Sequence, residues 1–257
     1  MYDAFKAMIP QRDTVYPDET GWKARPEPRR IGGRLHCLWD FVTDLFTRYV
    51  IRPSRGVDVL AEVLGLDYAG RMTHDGGAPY DKFLHAAHQP CLQHLLRRAK
   101  EIIEQLGGKR SRFAAPVKPW IVHALGLGDR RGHGNLGDHG YRMPRGPLEK
   151  GLHRLLALRP RGPACRTFRN HRHKHRGQLL TFLYEEDLEA TNWPAEPAIR
   201  PAVLNRKVFG GHRTRTGAHA LEVLASFFAT CRQNAIDALT LLSNLLRAPS
   251  PTHARAP

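Results

Sequence analysis

The chain has 257 residues, which is long enough for one large domain or for a domain that carries a long insertion. Hydrophobic residues make up 41% of it, so a chain disordered by composition is excluded. A formal net charge of +16 indicates a polyanionic partner, with double-stranded DNA favoured over an anionic membrane. Four widely spaced cysteines, no secretory leader and no long apolar run predict a cytoplasmic protein without a disulfide scaffold.

The first third of the chain predicts strands. Residues 13–24 form a short extended segment that we expect to end at Asp18 and to turn at Gly21. Residues 35–51 are rich in β-branched and aromatic residues with a polar break, and they predict a hairpin. Residues 69–75 predict a further strand that ends at Asp75.

Helical patterns separate and follow these strands. Ser54 is the predicted N-cap of a helix over 57–64. Pro90 is expected at the first position of a helix whose apolar residues recur at i, i+3 and i+4 up to Gly107. Helical patterns over 218–231 and 236–247 end the chain, so the sequence predicts an α/β core followed by helices.

Three acids stand where phosphodiester chemistry could use them. Asp18 and Asp75 are expected at strand ends, and Glu196 is expected at the start of a helix. Cleaving or transferring a phosphodiester calls for hard cations with oxygen ligands, such as Mg²⁺ or Mn²⁺. An isolated acid at such a position is more often a turn or cap residue, so the sequence around the acids decides between the two interpretations.

That surrounding sequence resembles the insertion-sequence-66 family of bacterial transposases. The resemblance runs from about Val15 to about Leu246, in five blocks that occur in the family's order. The blocks are DETGW at 18–22, IRPSRGVDVLAEVLG at 51–65, HDGGAPYDKF at 74–83, CLQH at 91–94 and the segment from TNWPAEPAIR to GAHAL at 191–221.

The resemblance implies a fold, an activity and a catalytic triad. The fold is RNase H-like, with a helical insertion between the second aspartate and the glutamate. The activity is metal-dependent cleavage and transfer of DNA strands, in which water cuts a transposon end and the freed 3′-hydroxyl attacks target DNA. Asp18, Asp75 and Glu196 would hold the metal, and a homo-oligomer would assemble on two DNA ends near the nucleoid. Full-length relatives carry an N-terminal region for end recognition, which is not expected here because only 17 residues precede Asp18.

Two further groups of residues admit several interpretations. The spacing of Cys91 and His94 is that of half a zinc site. The simpler interpretation is that Cys91 is a core residue and His94 a residue on the helix face. The family resemblance implies a third, in which His94 supports the active site. The run NHRHKHR at 170–176 is a metal-ligand candidate that we expect to be a solvated basic face. Basic residues crowd the region after Glu196 and predict contacts to DNA phosphates; they are Arg200, Arg206, Lys207, Arg213 and Arg215.

The chain also departs from the family pattern. Gly77 replaces the usual aromatic residue, and Pro197 replaces a polar residue directly after Glu196. If Asn192 caps the helix, Pro197 is its fifth residue and disrupts it. The segment 126–140 is too glycine-rich for a good helix. These departures leave open a second class, in which the chain is a non-catalytic, basic DNA-binding remnant of a transposase.

The sequence therefore predicts an α/β, RNase H-like catalytic core with a long helical insertion and a helical C-terminal part. The predicted divisions are a short N-terminal extension at 1–12, the first part of the core at 13–107, a basic helical insertion at 108–187, the glutamate-bearing helix with the C-terminal helices at 188–247, and a disordered tail at 248–257.

Overall fold

The computed structural model describes residues 1–22, 36–106, 114–132, 145–160, 162–185 and 187–247. Within them the fold is α/β, with one mixed sheet of five strands. The strands are β1 (Thr14–Trp22), β2 (His36–Val42), β3 (Thr47–Arg52), β4 (Arg71–His74) and β5 (Ala87–Pro90). The helices are α1 (Tyr2–Met8), α2 (Val57–Leu64), α3 (Leu92–Gln105), α4 (Ala114–Gly132), α5 (Arg145–Ala157), α6 (Pro163–Lys174), α7 (Ala195–Phe209), α8 (Arg215–Gln233) and α9 (Ala238–Arg247).

The sheet has the order β3-β2-β1-β4-β5. β2 is antiparallel to both β1 and β3, whereas the β1–β4 and β4–β5 pairs are parallel. The predicted hairpin is confirmed, because residues 37–42 of β2 pair with residues 47–52 of β3. The central position of β1 places it between the hairpin and β4, so the two strands that carry Asp18 and lead to Asp75 are neighbours.

The expected end of the first strand was wrong. β1 continues through Asp18 and Gly21 to Trp22, because β2 pairs with it along the whole of that stretch. β4 pairs with only the first part of β1, in the register Thr14 to Arg71 and Val15 to Met72. Asp18 therefore lies within a strand and not at its end.

Apolar side chains cover both faces of the sheet. On one face, Phe5 of α1, Ile9 of the short turn after it and Leu60 of α2 form a cluster with Trp39 and Phe41. The rings of Phe5 and Phe46 stack with their centres 4.4 Å apart. The predicted N-terminal extension therefore packs into this core. The other face is covered by α7 and α8, through alanines and Ile199 that pack on side chains of β1, β2 and β3.

The helices α3 to α6 share a separate apolar cluster. The predicted stripe of α3 faces it, because Leu92, Leu95, Leu96, Ala99 and Ile102 are all buried there. α4, α5 and α6 add further leucines, and α6 also adds Phe168. The segment that follows α6 adds Phe182 and more leucines. The region predicted as an insertion thus builds its own core against α3.

Several predicted helix ends were wrong. Pro90 ends β5, and α3 begins at Leu92 after Cys91, so no helix starts at the proline. Gly56 precedes α2, while the Ser54 hydroxyl donates to Asp58 and accepts from the Gly56 N–H. Gly65 ends α2 as expected, with φ of 78°.

The glycine-rich segment of the insertion is helical where it is described, contrary to expectation. α4 runs through Gly126 and Gly128 to Gly132. A side chain at Gly128 would meet the Cβ of Ala190 at 3.3 Å and Phe182 at 3.5 Å, so glycine allows a close approach there that outweighs its poor helix propensity. Residues 133–140 of this segment, Gly107 and the predicted disordered tail lie outside the described residues.

Candidate functional site

An acidic centre lies on the central strands of the sheet. Asp18 lies in β1, three residues beyond the last pair that β1 forms with β4, and Asp75 directly follows the end of β4. The two acids therefore belong to neighbouring strands of the sheet. Burial, opposed by the Glu19 N–H that donates to Asp18 and assisted by the charges of Asp75 and Glu196, raises the pKa of Asp18 to about 6. Asp75 and Glu196, the other two acids predicted from sequence, therefore lie within electrostatic reach of Asp18.

The turn after β4 holds Asp75 in place. The Gly77 N–H donates to its Oδ1 at 2.7 Å, and the Gly76 N–H donates to His74 Nδ1 at 3.0 Å. Gly76 has φ of 87°, a conformation that favours glycine. A Cβ at position 76 would lie 3.6 Å from Arg172 Nη1, an ordinary contact distance, so the backbone conformation and not a lack of space favours glycine there. The Asp-Gly-Gly sequence is thus what lets the backbone turn sharply beside Asp75.

Asn192 positions the segment that leads to Glu196. Its side-chain amide donates to the carbonyl of Pro17 at 3.0 Å, and its backbone N–H donates to Cys91 Sγ at 3.2 Å. Pro17 directly precedes Asp18, so this fully buried asparagine joins the glutamate segment to β1 and to the start of α3. The expected role as N-cap was wrong, because the Asn192 side chain bonds to β1 and not to the helix.

Glu196 lies in the first turn of α7, with its side chain exposed. α7 begins at Ala195, so Pro197 is its third residue and lies in the first turn, where proline is tolerated. The proline expected to disrupt the helix is therefore harmless by position. The interior proline of α7 is Pro201, which sequence reasoning passed over.

Two more acids surround Asp18, and neither was predicted. Asp40 pairs with Asp18 in the β1–β2 register, is fully buried and has no hydrogen-bond partner for either oxygen among the described residues. Burial, followed by the charge of Asp18, raises the Asp40 pKa well above its ordinary value. Burial and the charge of Asp75 raise the pKa of Glu19 to about 7, although Arg55 donates to Glu19 at 2.6 Å. Asp40 could have been found as a charge inside the otherwise apolar run HCLWDFV.

His94 and Cys91 are separated in role by their surroundings. His94 lines a cleft next to Asp75. Burial and the charge of Arg97 lower the pKa of His94 below its ordinary value, and the charges of Asp75 and Glu196 only partly offset this decrease. Cys91 is fully buried and accepts the hydrogen bond from Asn192. All four cysteines are free, and the described residues contain no group of three or more His, Cys, Asp or Glu side chains that could hold a metal ion. The position of His94 is therefore that of a residue beside the acidic centre.

The histidine-rich run is not a uniformly solvated face. Arg172 and His175 are buried, whereas His173, Lys174 and Arg176 are exposed. Helix α6 turns its buried side toward the acidic centre, because Gly76 lies against both His171 and Arg172. The expectation of a solvated basic face was wrong for this side, since burial depends on the packing of α6 on the turn after β4.

The predicted DNA-contacting residues divide into two groups. Arg206 is half-buried and donates to the Thr20 hydroxyl at 3.0 Å and to the Gly21 carbonyl, so it joins α7 to β1. The others have exposed side chains and form no ion pair within the part of the chain that the structure describes; they are Arg200, Lys207, Arg213 and Arg215. We call these four residues the α7–α8 basic surface.

Fold and site together define an α/β protein with an acidic centre on its central strands, followed by a group of helices and by a glutamate at the start of a further helix. A family model described as "Transposase IS66 family" matches residues 1–220. The chain belongs to this family of transposases, and the match includes α1, which lies before the first of the resembling blocks. No curated protein and no solved structure matches the chain. No helix among the described residues is long and apolar enough to cross a membrane.

Proposed function

We propose that the chain is the catalytic domain of a DDE transposase with an RNase H-like fold, which cleaves and transfers DNA strands in a reaction that depends on Mg²⁺ or Mn²⁺. The observation that carries this proposal is the convergence of Asp18, Asp75 and Glu196 from β1, the turn after β4 and the start of α7. The order of these elements, with a helical insertion between the second and third acids, supports the RNase H-like assignment that the family resemblance implies.

The three acids have the donor chemistry that a hard divalent cation prefers, although the described side chains as they stand form no group of three that could hold one. All three acids offer carboxylate oxygens, and the charges of Asp75 and Glu196 disfavour ionisation of Asp18, a repulsion that a bound cation would relieve. Mg²⁺ is usually held by one or two carboxylates, with water and phosphate as its other ligands, so Asp18 and Asp75 suffice as the first pair and Glu196 completes the set. When bound, the cation would stabilise the charge on the attacking and leaving oxygens.

The chain's own residues would orient this chemistry. The Gly77 N–H fixes the Asp75 carboxylate, and the Glu19 N–H fixes that of Asp18, so both acids are held before DNA arrives. Asn192 keeps the base of α7, and with it Glu196, against β1. Such preorganisation is what a phosphoryl-transfer site contributes beyond the cation itself.

DNA would lie along the α7–α8 basic surface. Its four exposed cations follow Glu196 in the chain, and a net charge of +16 favours binding to the phosphate backbone with little sequence preference. Arg206 would contribute to DNA binding through the position of α7, since its guanidinium is engaged by β1.

Nicking of supercoiled plasmid DNA tests the catalytic proposal. With Mg²⁺ we expect the wild type to nick the plasmid, and EDTA, Asp75→Asn or Glu196→Gln to reduce nicking by about a hundredfold or more, as expected for the loss of an electrostatic group at a reaction centre. Asp67→Asn, a change at an exposed aspartate after α2, serves as the matched control and should nick normally.

Two outcomes would contradict the proposal. Equal nicking by the wild type and both variants would place the activity elsewhere. Salt-sensitive DNA binding by a folded wild type that never nicks DNA would favour the second candidate, a non-catalytic DNA-binding protein. The exposed cations of the α7–α8 basic surface are the observation that favours this second candidate.

A further inference from the structure

A cleft of about 360 Å³ opens beside Asp75, between α3 and α6. From α3 it is lined by His94, Arg97, Arg98 and Glu101, and from α6 by Thr167, His171 and Arg172. The charged groups of the cleft are three arginines and two acids, Asp75 and Glu101. Glu101 already forms an ion pair with Arg98 at 3.0 Å. The cleft is therefore positively charged overall although it adjoins an acidic centre.

Arg172 is the unusual residue of this cleft. Its side chain is 8% exposed, and neither Nε nor Nη1 has a hydrogen-bond partner among the described residues. Its guanidinium carbon lies over the Phe168 ring, 5.6 Å from the ring centre, a contact that does not satisfy its N–H donors. Buried arginines are normally paired with an anion, because an unpaired charge in a protein interior is costly to desolvate.

Arg172 is also held close to the acidic centre. The position of a Cβ on Gly76 would lie 3.6 Å from Arg172 Nη1 and 3.6 Å from His171 Nε2. The free donors of the guanidinium thus lie within one residue of Asp75. An arginine presents several N–H groups in a fixed plane, a geometry that matches the oxygens of a phosphate.

We propose that this cleft binds a phosphate group through Arg172, and that in the DNA complex the group is a backbone phosphodiester next to the one that reacts. His94 lines the same cleft and offers a ring nitrogen, Nδ1, that has no hydrogen-bond partner among the described residues, while Arg97 and Arg98 supply additional positive charge at the rim. The identification of the phosphodiester as a neighbour of the reacting one rests on the proposed function, but the phosphate site itself does not.

The inference assigns a role to the insertion. α6 belongs to the helical region between the second acid and Glu196, and it is the element that brings Arg172 to Asp75. The insertion would then hold DNA at the reaction centre, in addition to forming its own apolar cluster with α3.

Binding without divalent metal tests the proposal separately from catalysis. In EDTA, a fluorescein-labelled 30-base-pair duplex should bind Arg172→Gln at least about tenfold more weakly than the wild type, the loss expected for a charge-assisted hydrogen bond to phosphate. Arg166→Gln removes the same charge from an exposed site on the same helix and is the matched control, with a change of about twofold or less. Arg172→Lys keeps the charge without the planar donors and should fall between the two.

Thermal melts show whether the fold survives and which phosphate is bound. Burial makes the Arg172 charge costly and Asp75 offsets part of that cost, so the melting temperature of Arg172→Gln should stay within about 3 °C of the wild type, whereas the loss of a purely structural arginine would lower it further. Inorganic phosphate should raise the melting temperature of the wild type and not that of Arg172→Gln if the cleft accepts free phosphate. A duplex effect without any phosphate effect would restrict the site to the DNA backbone.

The contradicting results are equally distinct. Equal duplex affinity of Arg172→Gln, Arg166→Gln and the wild type would overturn the phosphate site even if Mg²⁺-dependent nicking is present. Conversely, a selective loss of affinity at Arg172 in a protein that does not nick DNA would keep the site and reject the catalytic proposal. Destabilisation of Arg172→Gln without loss of affinity would show that the arginine serves the fold.

Discussion

Replacing Asp18 with asparagine removes a carboxylate that is costly to ionise in the metal-free protein. Burial and the neighbouring acids raise its pKa from 3.8 to about 6. At about 1.4 kcal/mol per pH unit, this difference corresponds to about 3 kcal/mol of stability lost when Asp18 ionises in the folded state. Asparagine keeps an oxygen that can accept the Glu19 N–H, so the change isolates the charge.

The sign of the effect follows from the raised pKa. Below about pH 4 the carboxyl is protonated in both states, and wild type and Asp18→Asn should be equally stable. Between about pH 4 and 6 only the unfolded chain ionises at this residue, so the wild type loses stability relative to the variant as the pH rises. Above pH 6 the variant should melt roughly 6–12 °C higher in EDTA, the shift expected for about 3 kcal/mol in a chain of this size.

Melting curves from pH 3.5 to 8 in EDTA, followed by circular dichroism, measure this difference. Asp3→Asn, at an exposed aspartate in α1, is the matched control and should track the wild type. Added Mg²⁺ should narrow the gap by stabilising the wild type alone. A variant that melts lower than the wild type at pH 8, or a gap that does not change with pH, would refute the reasoning about the acidic centre.

Two other predictions concern α7. Pro201→Ala should raise the free energy of unfolding by about 1–2 kcal/mol, because an interior proline leaves the carbonyl four residues earlier without its helical N–H. Pro197→Ala should change the free energy of unfolding by less than about 0.5 kcal/mol, because this proline lies in the first turn. Urea titrations that reverse this order would contradict the helix start at Ala195. Arg206→Gln should lower the free energy of unfolding by about 1–3 kcal/mol, because it breaks the hydrogen bonds that join α7 to β1. Lys207→Gln should leave the free energy of unfolding unchanged and lower the salt dependence of DNA binding by about one charge. Equal stability losses in the two variants would contradict this division.

Local sequence patterns predicted the elements that neighbouring residues determine. The hairpin over 35–51 and the helix over 57–64 have strong patterns of their own, and both are present. β5 was missed because AHQP has four residues without a strand pattern, and its Pro90 also suits the start of a helix. Its pairing with β4 is a long-range contact that no local pattern contains.

The candidate site was predictable only in part for the same reason. The blocks of family resemblance identified Asp18, Asp75 and Glu196, but burial determines the remaining groups around them. Asp40 is important because β2 pairs it with Asp18, and Arg172 because α6 packs against the turn after β4. Sequence spacing contains neither contact, since Asp40 is 22 positions from Asp18 and Arg172 is 96 positions from Gly76.

Metal coordination by the three acids is the central claim, and a crystal soaked in Mn²⁺ tests it most directly. An anomalous difference map should show a peak at bonding distance, roughly 2.0–2.2 Å, from carboxylate oxygens of both Asp18 and Asp75, with Glu196 turned toward it. The peak should be lost in Asp75→Asn crystals prepared in the same way. An ordered acidic centre without a peak at saturating Mn²⁺, or a peak held only by Glu19 and Asp40, would contradict the claim.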